Sequence, residues 1–425
     1  MKVLLIHQFF LPPEEAGGQR WNETSRLWAT KGHAVTVIAG MVHYGRGRKY
    51  AHCRGRWVVE EHPAPGLRVI RTHVSDWYNR NWVGRLWGYA TFLASGFWAA
   101  LFRLRESCDV VLVTSPPLLL GLLGVAVARW KRRPLVTEIR DLWPDAPVQM
   151  GVLKNRWLAG LAYGLERWLY RQSDRIVVLT PGFRQVLIEQ KGVSPEKIAV
   201  LPNAADFHLT DPLLQSFDRA AFRRAAFRRA AFRREEPGHE GGFRVVYAGA
   251  LGRANRLEPL LEAARLLKDE PVEFLLIGDG MERPQLERRA REAQLTNVRF
   301  LPFLPREEAF RCILAADLGV VTMQPQPVFR TMYANKMFEY MAARKPVLMA
   351  IDGLSRELIE KAGAGVFVQP DNPDDWAEKI REYVTFPEKG ILQGKNGYAY
   401  AQAHFDRTMI AQQYLELIQH VSKRR

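Results

Sequence analysis

A lysine and a glutamate one helical turn apart are the pair of charged side chains in this sequence that most suggests chemistry. Lys336 and Glu339 lie at positions i and i+3 of a predicted helix that begins near Asn335. Side chains at that spacing are neighbours on a helix surface, so they are either a solvated salt bridge or a matched cation and acceptor. A cation and acceptor so placed would bind the diphosphate and the ribose hydroxyls of one ligand. The residue types alone leave both interpretations open.

Glycine-rich turns follow two predicted strands in the same half of the chain. The strand at residues 244–247 leads into a turn with two glycines and two arginines: Gly249, Gly252, Arg253 and Arg256. Another strand ends at Gly278 in a Gly-Asp-Gly turn. Glycine permits close backbone approach, while helix N-termini and guanidinium groups favour anions. The turn with the two arginines therefore suits a diphosphate.

Two further places, both in the first half of the chain, carry candidate groups after predicted strands. Gly17 and Gly18 precede a helix, but they form neither a GxGxxG nor a GxxxxGK[ST] pattern, so by themselves they favour a plain turn. Glu138 and Asp141 follow the strand predicted near residues 135–139. Their carboxylates would stabilise a positively charged transition state or orient a substrate hydroxyl. Asp141 equally fits a cap for the turn before Pro144.

Strands and helices alternate along both halves of the chain, which indicates an α/β protein with two doubly wound parallel sheets. We expect an N-terminal domain at residues 1–205, a linker at 206–242 and a C-terminal domain at 243–400. A final helix at 401–425 is expected to pack back on the N-terminal domain. Ligands of such sheets bind at the carboxyl ends of the strands, where the candidate residues lie.

A tandem repeat of five residues occupies the expected linker. It runs from Arg219 to Arg234, and its phenylalanines recur at residues 222, 227 and 232. Five steps of about 100° spread these rings around a helix rather than along one face. A basic arm that binds membrane or nucleic acid is one interpretation. A neutral expansion in a tolerant surface loop is the interpretation we favour.

Charge is distributed unevenly along the 425 residues, whose formal net charge is +16. Residues 1–205 hold 28 Lys and Arg against 15 Asp and Glu, and 11 of the 12 tryptophans lie there. This imbalance predicts an anionic partner for the first half, either membrane lipid or nucleic acid. Aromatic residues and arginines alternate at residues 77–105, a mixture that suits a membrane interface as well as a buried helix. Three scattered cysteines exclude a disulfide framework.

Several of these segments, in this order, resemble family 4 glycosyltransferases. They are the Gly17-Gly18 loop, the stretches 138–145, 180–183 and 201–204, the turn from Ala248 to Arg253, and Lys336-Met-Phe-Glu339-Tyr-Met-Ala. Within the family the chain is most similar to bacterial O-antigen and exopolysaccharide enzymes of the N-acetylfucosaminyl transferase type. The resemblance implies a GT-B fold, with two Rossmann-like domains facing across a cleft. It also implies retention of the anomeric configuration and no metal requirement.

The resemblance also implies roles for particular residues. Glu339 would accept hydrogen bonds from the ribose of a nucleotide sugar, and Lys336, Arg253 and Arg256 would hold its diphosphate. Gly249 belongs to the phosphate turn, Gly278 would lie near the base, and Gly17 and Gly18 would close on the phosphates. Many members carry a second glutamate eight residues before Glu339, where this chain has Thr331. Backbone N–H groups of residues 332–335, including Asn335, would then contact the sugar.

The resemblance places the chain at a membrane. We expect a UDP- or GDP-linked sugar donor, a glycan acceptor on a polyprenyl diphosphate, and a peripheral location on the cytoplasmic face of the cell membrane. The basic, tryptophan-rich N-terminal domain would meet that surface, and no nucleic acid partner is expected. A sugar-nucleotide epimerase of the same fold and a basic nucleic-acid-binding protein are the alternatives. No RRM, KH, zinc-finger or helix-turn-helix motif supports the latter.

Overall fold

The computed structural model describes residues 1–12, 20–43, 47–78, 82–104, 106–224 and 242–423. These residues form two units, each built around one parallel sheet. Unit 1 comprises Met1–Pro202 and Thr408–Arg425, and unit 2 comprises Asn203–Arg407. The chain therefore enters unit 2 a few residues before the boundary expected at 205. Of the segment expected to be a linker, the described residues 206–224 belong to unit 2.

Unit 1 contains an eight-stranded sheet in the order β3-β4-β2-β1-β5-β6-β7-β8, antiparallel only between β3 and β4. Its strands are β1 (Lys2–Ile6), β2 (Ala34–Gly40), β3 (Val58–Ala64), β4 (Leu67–Thr72), β5 (Val110–Ser115), β6 (Leu135–Ile139), β7 (Arg175–Val178) and β8 (Ile198–Val200). Its first six helices are α1 (Arg20–Thr30), α2 (Trp82–Phe102), α3 (Leu120–Lys131), α4 (Asp145–Gln149), α5 (Arg156–Gln172) and α6 (Pro181–Glu189).

The central strands of unit 1 are apolar because helices cover both faces of the sheet. All six residues of β5 are buried, as is typical of a parallel strand enclosed on two sides. On one face, α2 packs on α3 and α3 packs on α5. Phe92 of α2 and Leu123 of α3 enter the same buried cluster as Val113 of β5. These three helices thus form one layer over the sheet.

The end of the chain returns to unit 1. A helix at Arg407–Lys423 contributes Tyr414, whose ring contacts the rings of Trp21 and Trp28 at centroid distances of 5.2 and 5.7 Å. Nε1 of Trp28 donates a hydrogen bond of 2.8 Å to the carbonyl of Ala411. The segment that joins unit 1 begins at Thr408, seven residues later than the expected start at 401.

Unit 2 contains a six-stranded parallel sheet in the order β11-β10-β9-β12-β13-β14. Its strands are β9 (Phe243–Ala248), β10 (Val272–Ile277), β11 (Val298–Leu301), β12 (Leu318–Thr322), β13 (Val347–Ala350) and β14 (Gly365–Phe367). Its helices are α7 (Phe207–Ser216), α8 (Glu258–Leu266), α9 (Arg283–Glu292), α10 (Arg306–Ala315), α11 (Pro327–Arg330), α12 (Asn335–Ala342), α13 (Leu354–Lys361), α14 (Pro373–Thr385) and α15 (Pro387–His404). The returning helix of unit 1 is α16.

The first copy of the five-residue repeat is docked on unit 2, while the favoured interpretation of the repeat as a neutral expansion in a tolerant surface loop stays a prediction. Nη2 of Arg223 lies 2.7 Å from Oδ2 of Asp317, and Arg219 pairs with the other carboxylate oxygen. Both guanidinium groups also donate to the carbonyl of Ala315, at the last residue of α10. Phe222 packs against the buried core of unit 2. We call these contacts the Asp317 clamp; residues 225–234 of the repeat lie outside the described residues.

Two uncharged runs of unit 1, at residues 86–102 and 110–128, approach the length that a membrane-spanning helix needs. The run at 110–128 is divided between β5 and α3 by a turn, as its prolines predict. The run at 86–102 lies within α2, which packs against the sheet along one face. In the ranges that the structure describes, no helix combines the length and the apolar character needed to cross a bilayer.

Candidate functional site

Three backbone segments of unit 2 meet at the carboxyl ends of β9 and β10, a region we call the unit 2 edge. Gly249 follows β9, Gly278 follows β10, and Lys336 lies in the first turn of α12. A Cβ added to Gly249 would overlap Cε of Lys336, and one added to Gly278 would overlap the carbonyl oxygen of Gly249. The backbone approach requires glycine at Gly278, whereas a Cβ at Gly249 would displace the end of the Lys336 side chain. The sequence-predicted residues Gly249, Gly278 and Lys336 are brought together.

The ammonium group of Lys336 is held by neutral groups. Nζ donates a hydrogen bond of 3.0 Å to Oδ1 of Asn255 and lies 4.9 Å from the ring centroid of Tyr247. Its pKa is lowered to about 8, because surrounding protein displaces water from the charged form, an effect that Glu339 partly opposes. Lys336 is thus positioned by Asn255 and Tyr247. The simple solvated salt bridge between Lys336 and Glu339 is not what holds it.

Glu339 projects from the exposed side of α12, in the neighbourhood of a charged cluster. Its pKa is raised, chiefly because surrounding protein displaces water, while Arg306 opposes this shift and Asp206 adds to it. Asp206 is itself held by Arg306 and by Arg407, whose Nε lies 2.8 Å from Oδ1 of the carboxylate. The charged groups of this cluster, Asp206, Arg306 and Arg407, therefore pair with one another. Glu339 remains an exposed acceptor beside it.

The N-terminus of α12 offers backbone donors. Its first helical residue is Asn335, and the preceding Ala334 supplies no side-chain cap. The side chain of Asn335 accepts a hydrogen bond from Asn203. Ser355 accepts from the N–H of Ala334 at 3.1 Å and donates to the carbonyl of Met332 at 2.9 Å, which fixes the loop ahead of the helix. Amides at a helix N-terminus favour an anion, and Lys336 lies in the same turn.

The two arginines of the first turn have different environments. Arg253 is exposed, and within the described residues its guanidinium forms no ion pair. Nη2 of Arg256 lies 2.6 Å from Oδ1 of Asp371, so this cation is already paired. Arg253 therefore fits the expectation of an available diphosphate-binding cation. Arg256 fits it less well, because a ligand would have to compete with Asp371.

Thr331 is turned toward its own helix end. Its hydroxyl donates a hydrogen bond of 2.8 Å to the carbonyl of Val328 in α11. The hydroxyl therefore closes α11. Thr331, which stands where many related enzymes carry a glutamate, therefore makes a local structural contact.

Glu138 is a structural anchor, which corrects its expected catalytic role. It is fully buried, and its Oε2 accepts hydrogen bonds from Nε and Nη2 of Arg20 at 3.1 and 2.9 Å. The other carboxylate oxygen accepts from Nε1 of Trp21 at 2.9 Å. A carboxylate whose two oxygens are occupied and shielded from solvent has no free position for a substrate. Glu138 instead ties β6 to α1.

Asp141 lies at the carboxyl end of β6, in what we call the unit 1 edge. In the described part of the chain its carboxylate makes no hydrogen bond and caps neither α4 nor the turn before Pro144, so the capping interpretation is not supported. Its pKa is raised to about 6, because protein around the carboxyl displaces water, although Arg140 lowers it. A group with a pKa displaced toward neutrality at a strand end is a candidate for chemistry.

His7, which no motif in the sequence points to, lies at the same edge of the unit 1 sheet as Asp141. His7 follows β1, is buried, and its Nδ1 lies 2.8 Å from the hydroxyl of Thr114 on β5. Burial, and secondly Arg140, hold its pKa well below the ordinary histidine value, so the ring is neutral at pH 7. The strands β1, β5 and β6 are adjacent in the sheet. The position of His7 directly after a strand was the available signal.

Gly17 and Gly18 lie outside the described residues. Among those that the structure describes, one group of side chains has metal-ligand types in mutual reach: His52, Cys53 and Glu61 in unit 1. None of them belongs to the unit 2 edge or the unit 1 edge. Glu61 already pairs with Arg71 at 2.5 Å and His52 at 2.7 Å.

Two doubly wound parallel sheets with polar groups at their carboxyl ends define the GT-B class of fold. In agreement, the chain is similar over 99% of its length to all of Anabaena HepE, solved in complex with UDP and glucose, with a TM-score of 0.70 and 20% identity. At that identity the likeness concerns the fold alone.

Two family models match consecutive parts of the chain. Residues 16–204 match the glycosyl transferase 4-like domain, and residues 242–385 match glycosyl transferases group 1. This chain therefore belongs to the family 4 glycosyltransferases. It is an enzyme of bacterial glycan synthesis, and the epimerase alternative is not favoured.

Curated bacterial glycosyltransferases are similar over most of the chain. The putative colanic acid biosynthesis glycosyl transferase WcaI of Escherichia coli K12 is 23% identical over 98% of this chain and 99% of its own length. The probable glycosyltransferase WbjE of Pseudomonas aeruginosa is 29% identical over 68% of this chain and 71% of its own.

Proposed function

We propose that this enzyme transfers a sugar from a UDP- or GDP-linked donor to a glycan carried on a polyprenyl diphosphate, with retention of the anomeric configuration. The reaction would take place at the cytoplasmic face of the cell membrane, where the protein is peripheral. The observation that carries the donor part is the convergence of Gly249, Gly278 and the first turn of α12 around Lys336. The structure of HepE, solved in complex with UDP and glucose, supports the same donor class.

The unit 2 edge suits a diphosphate for three reasons. Lys336 contributes a cation, the amides of α12 contribute partial positive charge, and Arg253 contributes a free guanidinium. All three act on charge that grows on the leaving diphosphate as the glycosidic bond breaks. Because protein groups supply this charge, we propose that transfer proceeds without a metal ion. Glu339 lies one turn further along α12 and would accept hydrogen bonds from the ribose hydroxyls.

The unit 1 edge suits the acceptor and the sugar. Asp141 is an exposed carboxylate there, so it would orient the acceptor hydroxyl or stabilise positive charge on the sugar ring. His7 is neutral at pH 7 and therefore suits a hydrogen bond with a hydroxyl or a phosphate oxygen rather than an ion pair. The proton of the acceptor would pass to the leaving diphosphate, so no separate protein base is needed. Gly17 and Gly18 keep their expected role in closing on the phosphates.

A thermal-shift experiment on the full chain tests the donor assignment. UDP, GDP and their sugar conjugates are added with EDTA present, to wild type and to Glu339→Ala. Glu360→Ala is the matched control, because Glu360 is an exposed glutamate of unit 2 whose ion pair, among the residues described, is with the surface residue Arg356. We expect one nucleotide class to raise Tm in wild type and Glu360→Ala, and to raise it less in Glu339→Ala. A wild type that no nucleotide stabilises, or equal shifts in all three proteins, would contradict the donor site.

A further inference from the structure

Helix α2 presents an apolar stripe to solvent. One side of the helix is buried and includes Gly88, Phe92 and Ala99. The opposite side is exposed at spacings of three and four residues, and it consists of Val83, Leu86, Trp87, Ala90, Ala94, Phe97 and Leu101. Such a stripe runs along the whole 21-residue helix rather than appearing as one isolated side chain. A contiguous exposed apolar surface indicates an interaction site.

The two helices beside α2 extend this surface. In α5, Trp157 is 89% exposed and Leu161 is 72% exposed, and they lie one turn apart. A Cβ added at Gly160 or Gly164 of the same helix would meet no atom within 4 Å, so this side of α5 is open. Trp130 is exposed at the end of α3, the helix that packs between the other two. We call α2, α3 and α5 together the aromatic layer.

Every exposed charge on the aromatic layer is positive. The helices α2 and α3 contain no Asp or Glu, and the single acidic residue of α5, Glu166, is fully buried beside Lys191 and Tyr170. The exposed cations are Arg85, Arg129, Arg156, Arg167 and Arg171. Exposed aromatic rings among arginines without acidic neighbours complement an anionic lipid surface. The rings enter the headgroup region and the guanidinium groups bind lipid phosphates.

We propose that the aromatic layer docks unit 1 on the surface of an anionic bilayer. This inference deepens the proposed function and rests on it in one respect, since it names the surface that brings the enzyme to a lipid-linked acceptor. The topology supports it. α2 follows β4 and α5 follows β6, so both helices begin at the carboxyl edge of the sheet. Trp87 and Trp157, near these beginnings, lie toward the same edge of the sheet as Asp141.

Vesicle sedimentation with the full chain tests the proposal. Vesicles of phosphatidylcholine alone are compared with vesicles that also contain phosphatidylglycerol. The layer variants are Trp87→Ser with Phe97→Ser, and Trp157→Ser with Leu161→Ser. The matched control is Ile391→Ser with Leu392→Ser, two side chains of unit 2 that are each 60% exposed. All of these side chains are exposed, so each variant is expected to keep the wild-type Tm.

We expect wild type and the control to bind the phosphatidylglycerol vesicles and to be released by salt. Each pair of layer substitutions should lower the partition coefficient at least about tenfold. Layer variants that bind like wild type, or no preference for the anionic vesicles, would overturn the proposal. The proposal would also be overturned if wild type did not bind vesicles and the aromatic layer instead mediated self-association or bound RNA. The donor thermal shift, measured on the same variants, tests the proposed function separately. If no nucleotide raises the Tm of wild type, the donor site is contradicted and the vesicle result still stands.

Discussion

Nζ of Lys336 lies 3.0 Å from Oδ1 of Asn255, a residue 81 positions earlier in the chain. This bond joins the turn after β9 to the first turn of α12. It orients the ammonium without neutralising it, because the amide oxygen carries no net charge. A cation that no carboxylate in the described part of the chain has paired can bind an anionic ligand without first breaking a salt bridge. Lys336 therefore has the environment expected of a diphosphate-binding group.

Filling the space beside Lys336 should weaken donor binding. Gly249→Ala would place a Cβ against Cε of Lys336 and displace the ammonium from Asn255. Loss of one charge-assisted hydrogen bond is worth about 1.5–3 kcal/mol, or roughly a 10- to 100-fold rise in the Kd of the nucleotide sugar. Gly390→Ala in α15 is the matched control, because its Cβ would make ordinary contacts no closer than 3.4 Å and lies outside the proposed donor site. Equal Kd values for the two variants by calorimetry would refute the role given to Gly249.

Donor affinity should fall as pH rises through the pKa of Lys336. That pKa is about 8, so the ammonium is mostly charged at pH 7 and loses its proton above pH 8. Bound diphosphate raises the pKa again, so the fall extends to higher pH. The measurement is the Kd of a nucleotide sugar between about pH 6.5 and pH 9, a range in which its diphosphate does not titrate. In Lys336→Met the affinity should be lower throughout and flat near pH 8; a slope like that of wild type would be the opposite result.

Asp141→Asn should stabilise the protein while it slows transfer. The folded-state pKa of Asp141 is about 6, above its ordinary value of 3.8, so ionising this group above pH 6 costs stability in the wild type. The Tm of the variant should exceed that of wild type at pH 8, and the difference should shrink as pH falls toward 5. Transfer should slow by about 10²- to 10⁴-fold if the carboxylate acts on the reacting atoms. A lower Tm at pH 8 would contradict this assignment.

Glu138→Gln is the informative contrast to that variant. It removes the charge of the buried carboxylate that pairs with Arg20, and denaturant unfolding should show a loss of about 3–5 kcal/mol of unfolding free energy.

The Asp317 clamp predicts different effects for two changes near the repeat. Asp317→Asn removes the charge that pairs with Arg219 and Arg223, and it should lower the unfolding free energy by about 2–3 kcal/mol, since the site is partly exposed. Deleting residues 224–233 removes two copies of the repeat but leaves the clamp residues in place, so stability should be unchanged. Denaturant unfolding measures both. A deletion as damaging as Asp317→Asn would show that the later copies contribute to folding.

The architecture was largely predictable because it depends on local periodicity. Short apolar runs followed by amphipathic stretches indicated both sheets, and Pro116 and Pro117 mark the turn between β5 and α3. The Lys336 and Glu339 spacing identified α12. Each of these signals lies within one or two neighbouring elements, where residue type and spacing reflect burial directly.

The roles of individual charged residues were less predictable. Glu138 and Asp141 are three residues apart and looked equivalent, yet Glu138 is saturated by Arg20, 118 residues away along the chain. Arg253 and Arg256 also looked equivalent, and Asp371 pairs with only one of them. Whether a carboxylate or a guanidinium is available depends on a partner brought from elsewhere in the fold. No pattern within the segment contains that information.

Sequence alone was sufficient for the family, the two-sheet organisation and the position of the glycine turns at the unit 2 edge, because glycines, strand ends and helix starts are local features. Tertiary structure decided which of the selected side chains remain free for a ligand. It also decided that the first repeat copy is docked at Asp317, and that α5 adds Trp157 and Leu161 to the exposed face of α2. These outcomes depend on contacts between distant segments, and burial and pairing exist only once those segments have packed together.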